Sequence, residues 1–535
     1  MRHAVLIALA CATVLGCART APSLSAGKRH PWTIPHVLRI AEMAEPHNLN
    51  PYSPDAESDL GSLVYSYLVV DDARGRLVGD LARDVPSLAN GGISRDGRTY
   101  VYHLRRNVIW HDGVPFTARD VIESFRAVMN SHSDAFGRQA FDWVVSIEAA
   151  DPTTVIVHLR ERYAPFVARF FTSVQDDEKP VLPAHILAHT DFNGGTLSSR
   201  PIGTGPFRLV TWVRGDRIIL RRFDRYFKGS PKLATIEIHI IPAAQTVGVE
   251  LAAHKIDLVD WTQAALLDRY RSVDGIVVET APLNSYELLL INAQKPALRD
   301  IAVRRAIAAA VPYDTILHDV EHSITVAVRN ILPATALGYE ALPQRTYDPA
   351  TADTLLDRAG WRRGADGIRL RNGVRLNLTL AAIAGATSGE QVAVLLQSSL
   401  KAIGVDLAIK SYSLAEYYAL SGPLYGGSFD LALTYSGINW DPDLYDSLAC
   451  DRWYPRGENL GRFCDPRVDA LERAGLQTDD PSQRAAIYRK ASRLIWSDVP
   501  FVPLYGGRNL IVRSADLRNY QYTPSGGWNP WQSDI

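Results

Sequence analysis

YHLRRNVIWHDGVPFTARDVIESF, Tyr102 to Phe125, joins an extended segment, a tight turn and the start of a helix in one short stretch. Tyr102 to Leu104 suits a strand. Asp112-Gly113 supplies the turn, because glycine reaches a positive backbone angle at little steric cost. Thr117 is placed to cap the following helix, its hydroxyl accepting an otherwise unpaired amide. Val121, Ile122 and Phe125 then recur at helical spacing toward a core. The residues read as a strand-turn-helix corner, a scaffold rather than a reaction centre.

Working outward from this corner, the chain of 535 residues exceeds what one hydrophobic core serves, so two or three domains are expected. Apolar content of 47% and charged content of 21% describe an ordinary folded protein. A net charge of -1 gives no electrostatic basis for binding nucleic acid or an anionic membrane surface. Strand-like runs alternate with amphipathic helices, the pattern of an α/β fold. Ala350 to Trp361 and Gln391 to Gly404 both carry apolar residues at three and four spacing.

The N-terminus reads as an export segment. Met1-Arg2-His3 is a short basic lead, and Ala4 to Leu15 is an apolar run too short to span a bilayer, so residues 1–16 are expected to be a signal peptide. Val14-Leu15-Gly16-Cys17 resembles a lipobox, in which Cys17 becomes the lipidated first residue. Several acyl chains would anchor the mature protein stably, and residues 17–33 would form the tether. Exported and lipid-anchored, the body would face the periplasm or the cell exterior. Removing Cys11 and assigning Cys17 to lipid leaves Cys450 and Cys464, an isolated pair expected to be bonded in a compartment where disulfides persist. Closing a loop of that size contributes about 3 kcal/mol in the chain-entropy model. Two Cys with no neighbouring His make no tetrahedral zinc site, so neither metal nor cofactor is expected.

Further segments follow in order: AEPHNLNPY at Ala44 to Tyr52, PIGTGPFRLVTW at Pro201 to Trp212, and NSYELLLINAQKPALRDIAVRRAIAAAVPYDTI at Asn284 to Ile316. FCDPRVDALERA and YRKASRLIWSDVPFVPLY lie near the end. GTGPF lacks the Lys-Ser/Thr pair of a phosphate loop, so Gly203 and Gly205 are read as backbone needing tight turns. Taken together with Tyr102 to Phe125, these segments resemble the family 5 extracytoplasmic solute-binding proteins, the peptide-binding group of ABC importers. The resemblance implies a two-lobed α/β fold of the periplasmic-binding-protein kind, with a hinge and an additional inserted subdomain. The first lobe would comprise residues 34–70, 197–284 and 504–535, the inserted subdomain 71–196, and the second lobe 285–503. It also implies a monomer that closes over a small solute or short peptide and is recognised by ABC permease subunits, with no catalysis of its own.

Within that resemblance, the loop after Leu433 faces the cleft, which nominates Tyr435, Ser436, Gly437, Ile438, Asn439, Trp440 and Asp441 for the solute. Several peptide-binding relatives carry an Asp three residues before the DPD-like turn, where it pairs with a peptide's α-ammonium group. Ile438 stands there in this chain, so an oligosaccharide, opine or other non-peptide solute is the alternative. Asp441 is either a substitute charge or a turn former. The opposite lobe offers Glu45, Pro46 and His47, with Arg200 as a partner for an anionic group. A different class of function comes from His318-Asp319-Val320-Glu321-His322, which fits the HxxEH pattern of a zinc peptidase. On one helix, residues four apart share a face, so His318 and His322 would meet a metal with Glu321 as base.

Overall fold

The computed structural model describes residues 29–53, 60–133, 135, 138, 140–173, 179–260, 262, 266–437, 441–525 and 527–535. A ten-stranded mixed sheet runs through it. Two long antiparallel strands, Ile276–Ile291 and Phe501–Ser514, occupy its middle. On one side lie Leu431–Gly437, Asn377–Ile383 and Asp406–Tyr412. On the other lie Leu258–Val259, Val37–Glu42, Thr235–Ile240, Arg217–Arg222 and Phe207–Val213.

The alternation of TIEIHI at Thr235–Ile240 buries every second side chain. Its neighbour Val37–Glu42 pairs with it in parallel, Leu38 against Ile236 and Ile40 against Ile238. These residues belong to one hydrophobic core. A second core gathers Leu289, Ile291, Leu380, Leu431 and Val502 with the helices Ile301–Ala309, Pro349–Arg358 and Thr387–Ala402. Among the described residues the two long strands contribute to both cores, Ala281 and Ile511 to the first and Leu289, Ile291, Val502 and Leu504 to the second, which gives two lobes on a shared pair of strands. Their register shifts between Pro282 and Tyr286, opposite Gly506, where an added Cβ would lie 2.5 Å from the Ser285 carbonyl and from Tyr286. Glycine is required there because the backbones approach too closely for any side chain.

The corner at Tyr102 to Phe125 folds as its residues predict. Thr99–His103 pairs with Thr154–Leu159 in a three-stranded sheet, and Thr117 and Asp120 form a capping box on the helix Ala118–Val128. Trp110 is fully buried. His111 ties the corner to the glycine-rich return: its amide donates to the Gly203 carbonyl at 3.0 Å, its Nε2 meets the Gly205 carbonyl at 3.0 Å, and its Nδ1 accepts from the Gly203 amide at 3.3 Å. Burial holds the ring neutral, lowering its pKa to about 4.

Asp300 caps the helix Ile301–Ala309, its carboxylate accepting from the Ala302 amide at 3.0 Å. The helix expected over Gln391 to Gly404 starts earlier, at Thr387. Cys450 and Cys464 are bonded to each other. Asn459 holds the loop between them, its side-chain amide donating to the carbonyls of Ala449 and Phe463.

Candidate functional site

The parallel strands Val37–Glu42 and Thr235–Ile240 end on the same side of the first core, and the loop carrying Glu45, Pro46 and His47 leaves from there. That loop is fastened to the hairpin at Trp212 to Gly215. Glu45 Oε1 accepts from Trp212 Nε1 at 3.1 Å and from the Gly215 amide at 3.0 Å. Arg214 donates to the carbonyls of Pro46 and His47 at 3.0 and 2.9 Å, and its guanidinium lies 3.4 Å from the Trp212 ring centroid. The Glu45 carboxylate and the carbonyls of Pro46 and His47 therefore brace the loop against the hairpin, while the His47 side chain is exposed. Arg200 is exposed, with its amide bonded to the Thr196 carbonyl at 2.8 Å.

On the other side of the sheet, Leu431–Gly437 pairs with Ile276–Ile291, setting Tyr435 opposite Glu287, Ser436 opposite Tyr286 and Gly437 opposite Ser285. Tyr435 keeps 54% of its surface exposed. Ile438, Asn439 and Trp440 lie outside the described residues, as does Cys17. Asp441 is buried and paired in a fork with Arg484, whose Nη2 donates to Oδ1 at 2.7 Å. Such a pair satisfies both ions, and it commits this carboxylate to the protein.

The zinc-peptidase alternative requires residues 318 and 322 on one helical face. A π-turn occupies Ile316–Val320 and the helix stops there, with His322 and Ser323 both at positive φ. His318 Nδ1 bonds the Asp314 carbonyl at 2.8 Å, while Glu321 is buried within reach of the Ser388 and Tyr505 hydroxyls. The break in helical geometry separates the two imidazoles' settings and directs the acid elsewhere.

Three features were not legible as a site in the sequence. First, Glu287 stands in the middle of the sheet floor, with Tyr435 on one neighbouring strand and Tyr505 on the other. Burial, and then the Glu321 carboxylate, push its pKa up to about 7. Burial also raises Glu321. Second, Tyr163 Oη donates to Asp443 Oδ2 at 3.2 Å, and Arg169 Nη2 donates to the Asp443 carbonyl at 3.3 Å. Together with the ion pair of Arg162 and Asp479 at 3.0 Å, these contacts join a segment near residue 165 to the loops at Asp443 and Asp479, whose neighbours Tyr445 and Leu476 pack into the first core. Third, a cavity of about 500 Å³ lies along the long strands, lined by Leu267 and Arg271 from one side, His322 and Val326 from the other, and Thr280 and Arg508 from the strands themselves. The cavity lining does not include Glu287, Tyr435, Tyr163 or Asp443, so these are three separate features along the strands and between the elements packed on them.

Comparison with known proteins gives this arrangement a context. The family model for bacterial extracellular solute-binding proteins, family 5, matches residues 78–451. The dipeptide-binding protein of Escherichia coli (strain K12) is 27% identical over 444 residues, covering 78% of this chain and 79% of that protein. The crystal structure of NikZ from Campylobacter jejuni in complex with Ni(L-His) is similar at a TM-score of 0.81 and 25% identity, over 94% of this chain and all of that one. The oligopeptide-binding protein AppA from Bacillus subtilis, in complex with a nonapeptide, shares the fold at a TM-score of 0.78 and 23% identity, over 91% of this chain and 96% of that one. The family consists of binding proteins, not enzymes, and its members share the two-lobed architecture described above. By the extent of the match to its family model, this chain belongs to the bacterial extracellular solute-binding proteins, family 5.

Proposed function

We propose that this chain captures a peptide or peptide-like solute between two lobes and hands it to the permease subunits of an ABC importer. The observation that carries the reading is a likeness to solute-binding proteins that extends over 94% of the chain and so takes in both lobes and the strands between them. The first lobe is assigned to residues 34–70, 197–284 and 504–535, the inserted subdomain to 71–196, and the second lobe to 285–503. Ile276–Ile291 and Phe501–Ser514 then act as the hinge. A solute touching both lobes favours the closed state only by its differential affinity for it. The Glu45 to His47 loop and the Tyr435 to Asp441 segment supply the opposing walls, with Cys17 anchoring a monomer to the membrane by lipid.

The dipeptide-binding and nonapeptide-bound relatives support a peptide. Ile438, at the place where peptide-binding relatives carry the ammonium-pairing acid, favours the second reading, an oligosaccharide, opine or other non-peptide solute. Thermal unfolding with panels of short peptides, oligosaccharides and opines tests both. At a hundredfold excess over Kd, a bound solute stabilises by about 2.7 kcal/mol, and it is recovered unchanged. Matched peptides with free and acetylated N-termini separate the two readings: equal stabilisation removes the need for an ammonium group. Absence of stabilisation by every panel overturns the proposal.

A further inference from the structure

The floor of the second lobe holds two carboxylates, Glu287 and Glu321, and among the described residues neither is paired with a Lys or Arg, although His322 lies beside Glu321. Glu287, on the long strand Ile276–Ile291, is flanked by Tyr435 and Tyr505 on the adjoining strands. Glu321, just past the π-turn Ile316–Val320, comes close enough for its charge to disfavour ionisation of Glu287. Glu321 is itself held by Ser388 and Tyr505. Glu287 is different: among the described residues it has no hydrogen-bond partner, and no Lys or Arg faces it. Glu287 is partly exposed, and desolvation is the main cause of its raised pKa. A desolvated carboxylate is ordinarily paired with a cation or hydrogen-bonded, because removing its charge from water without a partner is costly.

The position is also reachable. Tyr435, directly opposite Glu287, is more than half exposed, and its strand ends two residues later at Gly437. The ring therefore marks the opening above the acid. Tyr505 flanks Glu287 on the other adjoining strand and shares its face of the sheet. A carboxylate between two phenol rings suits a cationic nitrogen: the acid supplies charge and the exposed ring supplies cation–π attraction.

We propose that Glu287, backed by Glu321 and Tyr505 and covered by Tyr435, binds a cationic nitrogen of the solute, an ammonium or guanidinium group. The proposal rests on the solute-binding reading and narrows it to cationic solutes. The groups facing Glu287 are Glu321 with its neighbour His322, Tyr505 and Tyr435; the helix Thr387–Ala402 contributes Ser388 to Glu321, and Tyr417 and Tyr418 act only at a distance, from the opposite face of the sheet. With a carboxyl that gains its proton near pH 7, the cation must displace that proton in acid and need not do so in base. Affinity for a cation therefore rises with pH.

Calorimetric titration of the full-length protein with 1,4-diaminobutane and with the uncharged isostere 1,4-butanediol tests this. The diamine is expected to bind about tenfold more tightly at pH 8 than at pH 6, with proton release only at the lower pH, and the diol not at all. Glu287→Gln is expected to weaken diamine binding at pH 8 by tenfold or more and to flatten its pH dependence. Glu321→Gln provides the same test should Glu287→Gln fail to fold. A diamine that binds no better than the diol overturns the proposal. So does diamine binding that is indifferent to both substitutions. Diamine binding without stabilisation by any peptide leaves this site standing and defeats the peptide reading. Stabilisation by peptides that is unchanged in Glu287→Gln does the reverse.

Discussion

The corner around His111 and the floor around Glu287 each hold a desolvated titratable side chain, and they handle it in opposite ways. His111 is neutral and has both ring nitrogens engaged, with Gly203 and Gly205 as its partners. Glu287 is an acid set beside another acid, without a cation among the described residues. The first arrangement is closed and complete. The second leaves electrostatic capacity unused, and a group that comes and goes can use it. The corner that carries the family resemblance holds the architecture together, while the proposed cation site sits where strands from distant parts of the chain meet.

The largest effect comes from breaking the corner. A Cβ at Gly203 would lie 1.8 Å from the Val64 carbonyl oxygen, and backbone cannot swing aside as a flexible side chain does. Gly203→Ala is expected to cost more than about 3 kcal/mol in urea unfolding. A cost below 1 kcal/mol would show that the return segment is not locked against the corner.

The next effect sharpens the comparison by sign. His111 has a folded pKa of about 4, below that of an unfolded histidine. Its contribution to stability is full above the unfolded value near 6.5 and is lost as pH falls toward 4. Glu287 has a folded pKa of about 7, above that of an unfolded glutamate. Its contribution is full below about pH 4.5 and is lost as pH rises through 7. Glu287→Gln should therefore gain stability over the parent chain between pH 5 and 8, on the order of 2 kcal/mol by the upper end. His111→Gln should lose stability at pH 7 and show a smaller further loss than the parent between pH 6.5 and 4. Thermal unfolding of both variants across that range decides the matter: parallel curves for the two would erase the contrast.

The smallest effect on folding is expected at Tyr435, which is exposed on its strand. Tyr435→Leu should change unfolding free energy by less than about 1 kcal/mol while weakening diamine binding severalfold. A large stability loss would instead make the ring part of the core.

How much of this was legible in the sequence follows the same division. The corner was readable because its signals are local: an Asp-Gly turn, a Thr cap, apolar residues at helical spacing. The disulfide was readable because only two cysteines remain once the N-terminal segment is set aside. Asp441 was half readable, as a turn residue, but its buried partner Arg484 lies 43 residues away. Glu287 reads in NSYELLLIN as one polar residue in an apolar strand. Its setting arises only when Tyr435, Tyr505 and Glu321 are brought to it by pairing and by the π-turn. Likewise, nothing local to Tyr163 foretells Asp443, 280 residues later. HxxEH misled for the converse reason, because a local pattern presumed a helix that the chain ends at Val320.

Native mass spectrometry of the protein purified from its own host without denaturation tests the central claim most directly. The account predicts a single solute bound one to one, carrying an amine or guanidine, released intact on unfolding, and raising the Tm of the emptied protein when added back. A bound molecule that is chemically altered on re-addition, or a host-purified protein that carries no solute and gains no stability from the host's small-molecule extract, would contradict it.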